Sequence, residues 1–203
     1  MSKLHSRQII VCITKTIITS CLLISCSVQK TKETHNNQEL INMVQIDQKM
    51  RLEDNGNYEE KDNIHRKKVM ELLVNGKIIT PTDKLNAALI LQHTSAIYCN
   101  DELKSYSPEN FLLGYILSSS AYDAGEKKAA PFIAISYDRY LFFTQGYQKY
   151  GTQKIYDEES DSFLWAPIDS TTTDEERIKY NVPPIKELLK QCKMKKRKTI
   201  VVN

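Results

Sequence analysis

The chain has little of the two residues that most often break regular structure, with six glycines and six prolines among its 203 residues. Sandwiches and barrels built only from β-strands need many turns, and tight turns depend on glycine and proline. Their scarcity argues against a loop-rich β-sandwich and favours helices. The hydrophobic content of 41% is ordinary for a globular domain.

The sequence also lacks the short motifs that mark common chemistries. It contains no GxSxG elbow, no phosphate-binding glycine loop, no HExxH pair and no CxxC pair. Its histidines, His5, His35, His65 and His93, are scattered, so a metal site would need residues to converge from distant parts of the chain. We therefore expect no metal and no cofactor.

No strong charge of one sign runs through the chain, which has 28 Lys and Arg residues against 25 Asp and Glu residues. The excess of positive charge lies at the two ends: three basic residues in the first 25 positions, and a basic run over 190–198. A neutral protein with an acidic body is a poor candidate for a dedicated nucleic-acid binder. The basic tail is typical of a solvated charge run, or of a segment attracted to anionic lipid headgroups.

The N-terminus has the pattern of a bacterial lipoprotein signal. Lys3 and Arg7 precede an apolar stretch that runs from Ile9 and closes with Leu23-Ile24-Ser25-Cys26. This ending resembles a lipobox, in which the cysteine sulfur is the atom that receives diacylglycerol. Cys21 also fits the pattern loosely, but cleavage there would leave a shorter apolar core, so Cys26 is the better lipidation site.

A transmembrane anchor is the alternative for this segment. The apolar span of about 18 residues is at the lower limit for crossing a bilayer. Lys15 lies near its middle, where a charge costs roughly 2.5–3.5 kcal/mol. Two acyl chains hold a protein stably on a membrane surface. We therefore expect a protein anchored by lipid to a membrane of the bacterial cell envelope, with its folded domain outside the cytoplasm.

These patterns divide the chain into a signal peptide (1–25), a lipidated cysteine with a flexible tether (26–37), one globular domain (38–191) and a basic tail (192–203). Within the domain, Cys99 and Cys192 are either a disulfide pair or two isolated thiols.

Hydrophobic spacing predicts an α+β fold that is mostly helical, with a bundle-like N-terminal part and a β-hairpin or small antiparallel sheet after residue 136. The predicted helices are Gln38–Glu53, Glu60–Val74, a buried central helix at Lys84–Tyr98 with Thr82 or Asp83 as N-cap, Ser107–Ala121, 129–135, Thr173–Tyr180 and Pro184–Gln191. The predicted strands are Tyr137–Thr144 and Tyr147–Tyr156, which form the hairpin, and Ser162–Trp165.

Three polar clusters contain the candidate functional residues of the sequence. Asp47 and Arg51 are four residues apart on one helix face, beside apolar neighbours, as expected of a buried strut or a ligand site. His93 on the central helix is a hydrogen-bonded core residue or a general base. The third cluster begins at Asp138-Arg139 and continues over 148–153; it is cross-strand packing or a polar groove.

Several of these strings together resemble a family, the bacterial domain-of-unknown-function family 6624. They are Asp47-Gln48-Lys49-Met50-Arg51, the Asp62–Pro81 helix and turn, Leu91-Gln92-His93, Tyr137-Asp138-Arg139, Gln148-Lys149-Tyr150-Gly151-Thr152-Gln153, Pro167-Ile168-Asp169, Arg177 and Val182-Pro183-Pro184. The resemblance covers roughly Ile41–Leu189 and implies one domain but no assigned activity. It implies a shared polar pattern, either a site or a buried network, made of Asp47, Gln48, Arg51, His93, Asp138, Arg139, Gln148, Gly151, Gln153 and Arg177.

The function we expect is that of a cell-envelope lipoprotein that binds a ligand or a protein through its polar residues. One alternative is a hydrolase-like enzyme that uses His93 as base, with Asp138 or Asp47 as the orienting carboxylate. Another is a structural or immunity-type protein that depends on a partner and recognises it through an exposed surface.

Overall fold

The computed structural model describes residues 35–53, 58–99 and 102–193. These residues form seven α-helices and two antiparallel sheets of two strands each, which confirms the mostly helical α+β fold. The predicted signal peptide, Cys26, most of the tether and residues 194–203 of the tail lie outside the described residues. Every helix among the described residues is too short or too polar to span a lipid bilayer.

The N-terminal part contains three helices, α1 (Gln38–Leu52), α2 (Glu59–Val74) and α3 (Pro81–Leu91). Helix α3 begins with a capping box in which Thr80 is the N-cap and Asp83 the third helical residue, so the predicted cap at Thr82 or Asp83 was wrong. The Asp83 carboxylate also accepts a hydrogen bond of 2.6 Å from the backbone N–H of Asn37, the N-cap of α1. Helices α1 and α3 therefore begin at the same place.

Helix α3 is the buried central helix that its composition predicts. It packs against α1 and α2, and residues such as Ala87, Ala88 and Leu91 are fully buried in a core with Leu40 of α1 and Val69 of α2. The helix ends earlier than predicted, at Leu91, and residues 96–98 are not helical.

A β-hairpin, β1 (Ala96–Cys99) with β2 (Glu102–Ser105), follows α3. Ala96 pairs with Ser105 in its antiparallel register. Cys99 at the end of β1 and Cys192 near the end of the described chain are both free thiols.

Helices α4 (Glu109–Asp123) and α5 (Ala130–Gln145) are joined by a single 3₁₀ turn at Lys127–Ala129 and pack closely together. The predicted strand Tyr137–Thr144 was wrong, because this segment is the second half of α5. Its aromatic residues favour strands on average, but that preference reflects packing more than the backbone itself. Ala134, Asp138 and Leu141 recur at helical spacing on the buried face, and tertiary packing decides the outcome.

A small antiparallel sheet is present after residue 136, as predicted, and Ser162–Trp165 is one of its strands. Of the predicted strand Tyr147–Tyr156, only residues 154–156 belong to the sheet. The sheet pairs β3 (Lys154–Asp157) with β4 (Ser162–Trp165), and Lys154 lies opposite Trp165. Helices α6 (Asp174–Lys179) and α7 (Ile185–Gln191) close the domain, as expected. Tyr150, Trp165 and Leu188 form a second core with residues of α5.

Candidate functional site

Four charged or titratable side chains meet where α1 and α3 end. Asp47 and Arg51 are one turn apart on α1, His93 follows α3, and Asp62 comes from the first turn of α2. Nη2 of Arg51 donates to Oδ1 of Asp47 at 3.1 Å and to Oδ1 of Asp62 at 2.6 Å. Asp47 is 1% exposed, so this ion pair faces the interior, as the apolar stripe of α1 indicates.

Asp62 is a member of this site that sequence reasoning missed. Asp62 opens one of the strings that resemble family 6624, and it is four residues from Arg66 on α2, but such pairs are common on solvated helices. The predicted binding residue Gln48 is at the edge of the site, where its Nε2 donates to Oδ2 of Asp47 at 2.9 Å.

The imidazole of His93 contacts both charges of the α1 pair through one nitrogen. Nδ1 lies 3.0 Å from Oδ1 of Asp47 and 3.2 Å from Nε of Arg51. Nδ1 can donate to the carboxylate or accept from the guanidinium, but not both at once. The contact with the Asp47 carboxylate is the shorter of the two, and without a proton the lone pair of Nδ1 would face the carboxylate, so we assign the proton to Nδ1.

The two carboxylates of the site differ in their pKa values. Burial would raise the pKa of Asp47, but the hydrogen bond and charge of His93 and the charge of Arg51 outweigh it, so the pKa is lowered. Burial raises the pKa of Asp62 despite the opposing charge of Arg51. Asp47 is therefore the carboxylate that stays ionised over the wider pH range.

Asp47, Asp62 and His93 offer one potential metal ligand atom each, all within 4.8 Å of one another. The guanidinium of Arg51 already contacts all three residues. The guanidinium already pairs its positive charge with the two carboxylates, as a metal ion would. A metal ion could bind here only by displacing Arg51. The geometry is thus that of an arginine-centred network, so we assign no metal site to these residues.

Two further arginines reach the backbone on either side of the α3 end. Nη1 of Arg66, from α2, donates to the carbonyl oxygen of His93. Nη1 of Arg139, from α5, donates to the carbonyl oxygen of Gln92 at 2.6 Å and to Oε1 of Gln92 at 3.0 Å. We call Arg51, Arg66 and Arg139 the arginine cluster. Cations at a helix C-terminus are stabilised by its free carbonyl groups, which accounts for part of this arrangement.

Within the part of the chain that the structure describes, the ion pairs of the arginine cluster all belong to Arg51. Within the described ranges, neither Arg66 nor Arg139 makes an ion pair with a carboxylate. Burial lowers the pKa of Arg139, and the charge of Arg51 lowers it further. Burial also lowers the pKa of Arg66, against the opposing charges of Asp62 and Glu59. The like charges of Arg51 and Arg139 therefore lie close together, and the Arg139 guanidinium is half-buried.

Gln153, another predicted binding residue, positions Arg139. Its Oε1 accepts from Nε of Arg139 at 3.2 Å, and its Nε2 donates to the hydroxyl of Thr152 at 2.8 Å. That hydroxyl donates in turn to Asp138 at 2.8 Å. The loop after α5 is thus connected to the arginine cluster by side-chain hydrogen bonds.

The structure places Asp138 away from His93. Both oxygens of Asp138 are fully used by the loop: Oδ1 accepts from the backbone N–H groups of Lys149 and Tyr150, and Oδ2 from those of Gly151 and Thr152. With the Thr152 hydroxyl, these are five hydrogen bonds of 2.7–2.9 Å to a side chain that is 0% exposed. Asp138 therefore holds the loop and has no free oxygen to orient an imidazole.

Gln148 and Arg177 also hold backbone segments and lie outside the cluster. Gln148, which is 0% exposed, donates to the carbonyl oxygens of Gln153 and Ala166 and accepts from the N–H of Gln153. Arg177, 2% exposed, donates to the carbonyl oxygens of Tyr150, Thr172 and Asp169. The predicted polar set thus divides into a half-buried cluster at the end of α3 and a buried network around the 147–153 loop.

Comparisons with protein-family models, curated proteins and solved structures find no match to this chain. The resemblance to family 6624 stays a prediction. A function for this chain must therefore be inferred from the geometry of the site itself.

Proposed function

We propose that the folded domain binds an anionic ligand at the arginine cluster. The observation that carries this proposal is Arg139, a half-buried guanidinium that lies near Arg51 and has no ion-pair partner within the described residues. Burying a charge without a partner is costly, and residues kept in that condition are often functional. An anion would compensate the charge.

The charges and hydrogen bonds of the cluster support an anion rather than a cation. Asp47 and Asp62 both form their ion pairs with Arg51, which leaves Arg139 and Arg66 without one among the described residues. Each guanidinium has five N–H donors. Nη2 of Arg139 and Nη2 of Arg66 form no hydrogen bond with any residue that the structure describes. These free donors suit the oxygens of a phosphate or carboxylate group.

Inorganic phosphate is the simplest probe of this site. We expect phosphate to raise the melting temperature of the full chain at low ionic strength, and the Arg139→Gln variant to lose at least about tenfold in affinity, or ~1.4 kcal/mol. The matched control is Lys186→Gln, which removes the same charge from an exposed position on α7. Isothermal titration of both variants measures the difference.

Either of two results would contradict the proposal. One is equal phosphate affinity in Arg139→Gln and Lys186→Gln, which would mean that phosphate is attracted by the overall positive charge of the chain and not by a specific site. The other is no phosphate binding by the unaltered chain, which would leave the partner-binding alternative.

We further propose that this domain is held on a bacterial envelope membrane by lipid on Cys26. The support is the sequence pattern at residues 1–26, which lies outside the described residues. We expect Cys26→Ser to move the protein from the membrane to the soluble fraction, while deletion of 192–203 leaves it on the membrane. Fractionation followed by mass analysis of the N-terminal peptide tests this. If deletion of 192–203 alone released the protein into the soluble fraction, the basic tail and not the lipid would be the main membrane anchor.

A further inference from the structure

His93 has one ring nitrogen that the site does not use. Nδ1 faces Asp47, whereas Nε2 forms no hydrogen bond with a residue in the described ranges. The side chain is 21% exposed, while the Asp47 carboxylate behind it is 1% exposed. The imidazole is thus fixed from the interior and open toward the solvent side.

The carboxylate determines which nitrogen carries the lone pair. An ionised Asp47 at 3.0 Å from Nδ1 favours the tautomer with the proton on Nδ1, since two lone pairs would otherwise face each other. Nε2 then carries the lone pair and can accept a proton. A histidine oriented in this way by a buried carboxylate has the arrangement of a general base.

We propose that His93 acts as a general base at the arginine cluster and that the site hydrolyses phosphate esters. This inference rests on the anion binding proposed above, because the same guanidinium groups would hold the phosphoryl oxygens. Asp47 is a positioning residue that acts through His93.

The reaction needs only water as a second reactant. Nε2 of His93 takes a proton from a water molecule while the water oxygen forms a bond to phosphorus. The bond between phosphorus and the ester oxygen breaks, and the leaving oxygen receives the proton from the imidazolium. A monoester gives inorganic phosphate and an alcohol, with no change of oxidation state.

The arginine cluster would stabilise the charge that develops in this step. Arg66 and Arg139 are held by the carbonyl oxygens of His93 and Gln92, immediately beside the base, and their remaining N–H donors are free for phosphoryl oxygens. Donors fixed before the reaction stabilise a transition state without reorganising. A positioned general base contributes roughly 10²–10⁴-fold to a rate.

The test uses the full chain in detergent with p-nitrophenyl phosphate and bis(p-nitrophenyl) phosphate, and follows nitrophenolate release. The decisive variant is His93→Asn, whose amide can still donate to Asp47 but cannot act as a base. We expect it to lower kcat at least about 100-fold while the affinity for inorganic phosphate and the melting temperature stay close to those of the unaltered chain. Asp47→Asn should lower kcat without raising KM, because it removes a negative charge beside the arginine cluster.

Each outcome has a distinct meaning. Turnover that persists in His93→Asn overturns the role of His93. Phosphate binding that Arg139→Gln abolishes, without turnover of either ester by the unaltered chain, overturns catalysis and leaves the binding function standing. Absence of both binding and turnover overturns both proposals. Loss of turnover in His93→Asn with phosphate binding retained supports the inference.

Discussion

Replacing Asp138 with Asn is expected to lower the free energy of unfolding by about 3–5 kcal/mol, the range seen when one partner of a buried charged network is removed. The carboxylate accepts five hydrogen bonds, and each of its oxygens accepts at least two. An amide has one oxygen, and its NH₂ group would face N–H donors in place of the other. At least two backbone N–H groups would lose their partner, at roughly 1–3 kcal/mol each.

Asp123→Asn is the control for this experiment, because it makes the same chemical change at an exposed residue at the end of α4. Its effect should stay within about 0.5 kcal/mol. Urea unfolding at equilibrium, followed by circular dichroism, measures both variants. An Asp138→Asn variant as stable as the control would show that the loop holds its shape without the carboxylate.

Gly151→Ala is expected to lower the free energy of unfolding by about 2–6 kcal/mol, for two physical reasons. Gly151 has a φ of +102°, where a residue with Cβ is strained by about 1–3 kcal/mol. A Cβ atom at this position would also lie 2.6 Å from Cδ1 of Leu188 and 3.2 Å from Cδ1 of Ile168. Overpacking of this kind usually costs about 1–3 kcal/mol.

Gly125→Ala separates the two contributions. Gly125 has nearly the same φ, +101°, but a Cβ there would have no atom within 4 Å. Alanine at 125 should therefore show the backbone strain alone, and the difference between the two variants in thermal or urea unfolding measures the collision with Leu188. Equal losses of unfolding free energy in Gly151→Ala and Gly125→Ala would mean that α7, which carries Leu188, shifts without cost.

The helices of this domain could be predicted because their apolar residues recur at helical spacing and because breakers such as Asn75-Gly76 mark some of their ends. The error at Tyr137–Thr144 has a physical origin, since an aromatic-rich run has the composition of a strand and becomes helical only because α4 covers one side of it. The early end of α3 had a similar cause: residues 96–99 bond to 102–105 and not to the preceding turn.

The site was predictable in part. The spacing of Asp47 and Arg51 gave the ion pair directly, because four residues bring side chains together on one helix. Asp62 and Arg66 could not be assigned, since their proximity to His93 depends on how α2 packs against α1 and α3. Asp138 and Arg139 are neighbours in sequence, yet a helix turns about 100° per residue. One therefore points into the loop network and the other toward the cluster.

The shared start of α1 and α3, where Asp83 binds the N-cap of α1, also limits how the chain can change in length. Because both helices are fixed at one end, Arg51 and His93 meet at the other end only if the number of residues in each helix is right. One residue inserted into α1 between Asn37 and Asp47 would turn the ion pair by about 100° and carry it ~1.5 Å along the axis. Substitutions can accumulate on the exposed faces of these helices, whereas insertions and deletions inside them would separate Arg51 from His93.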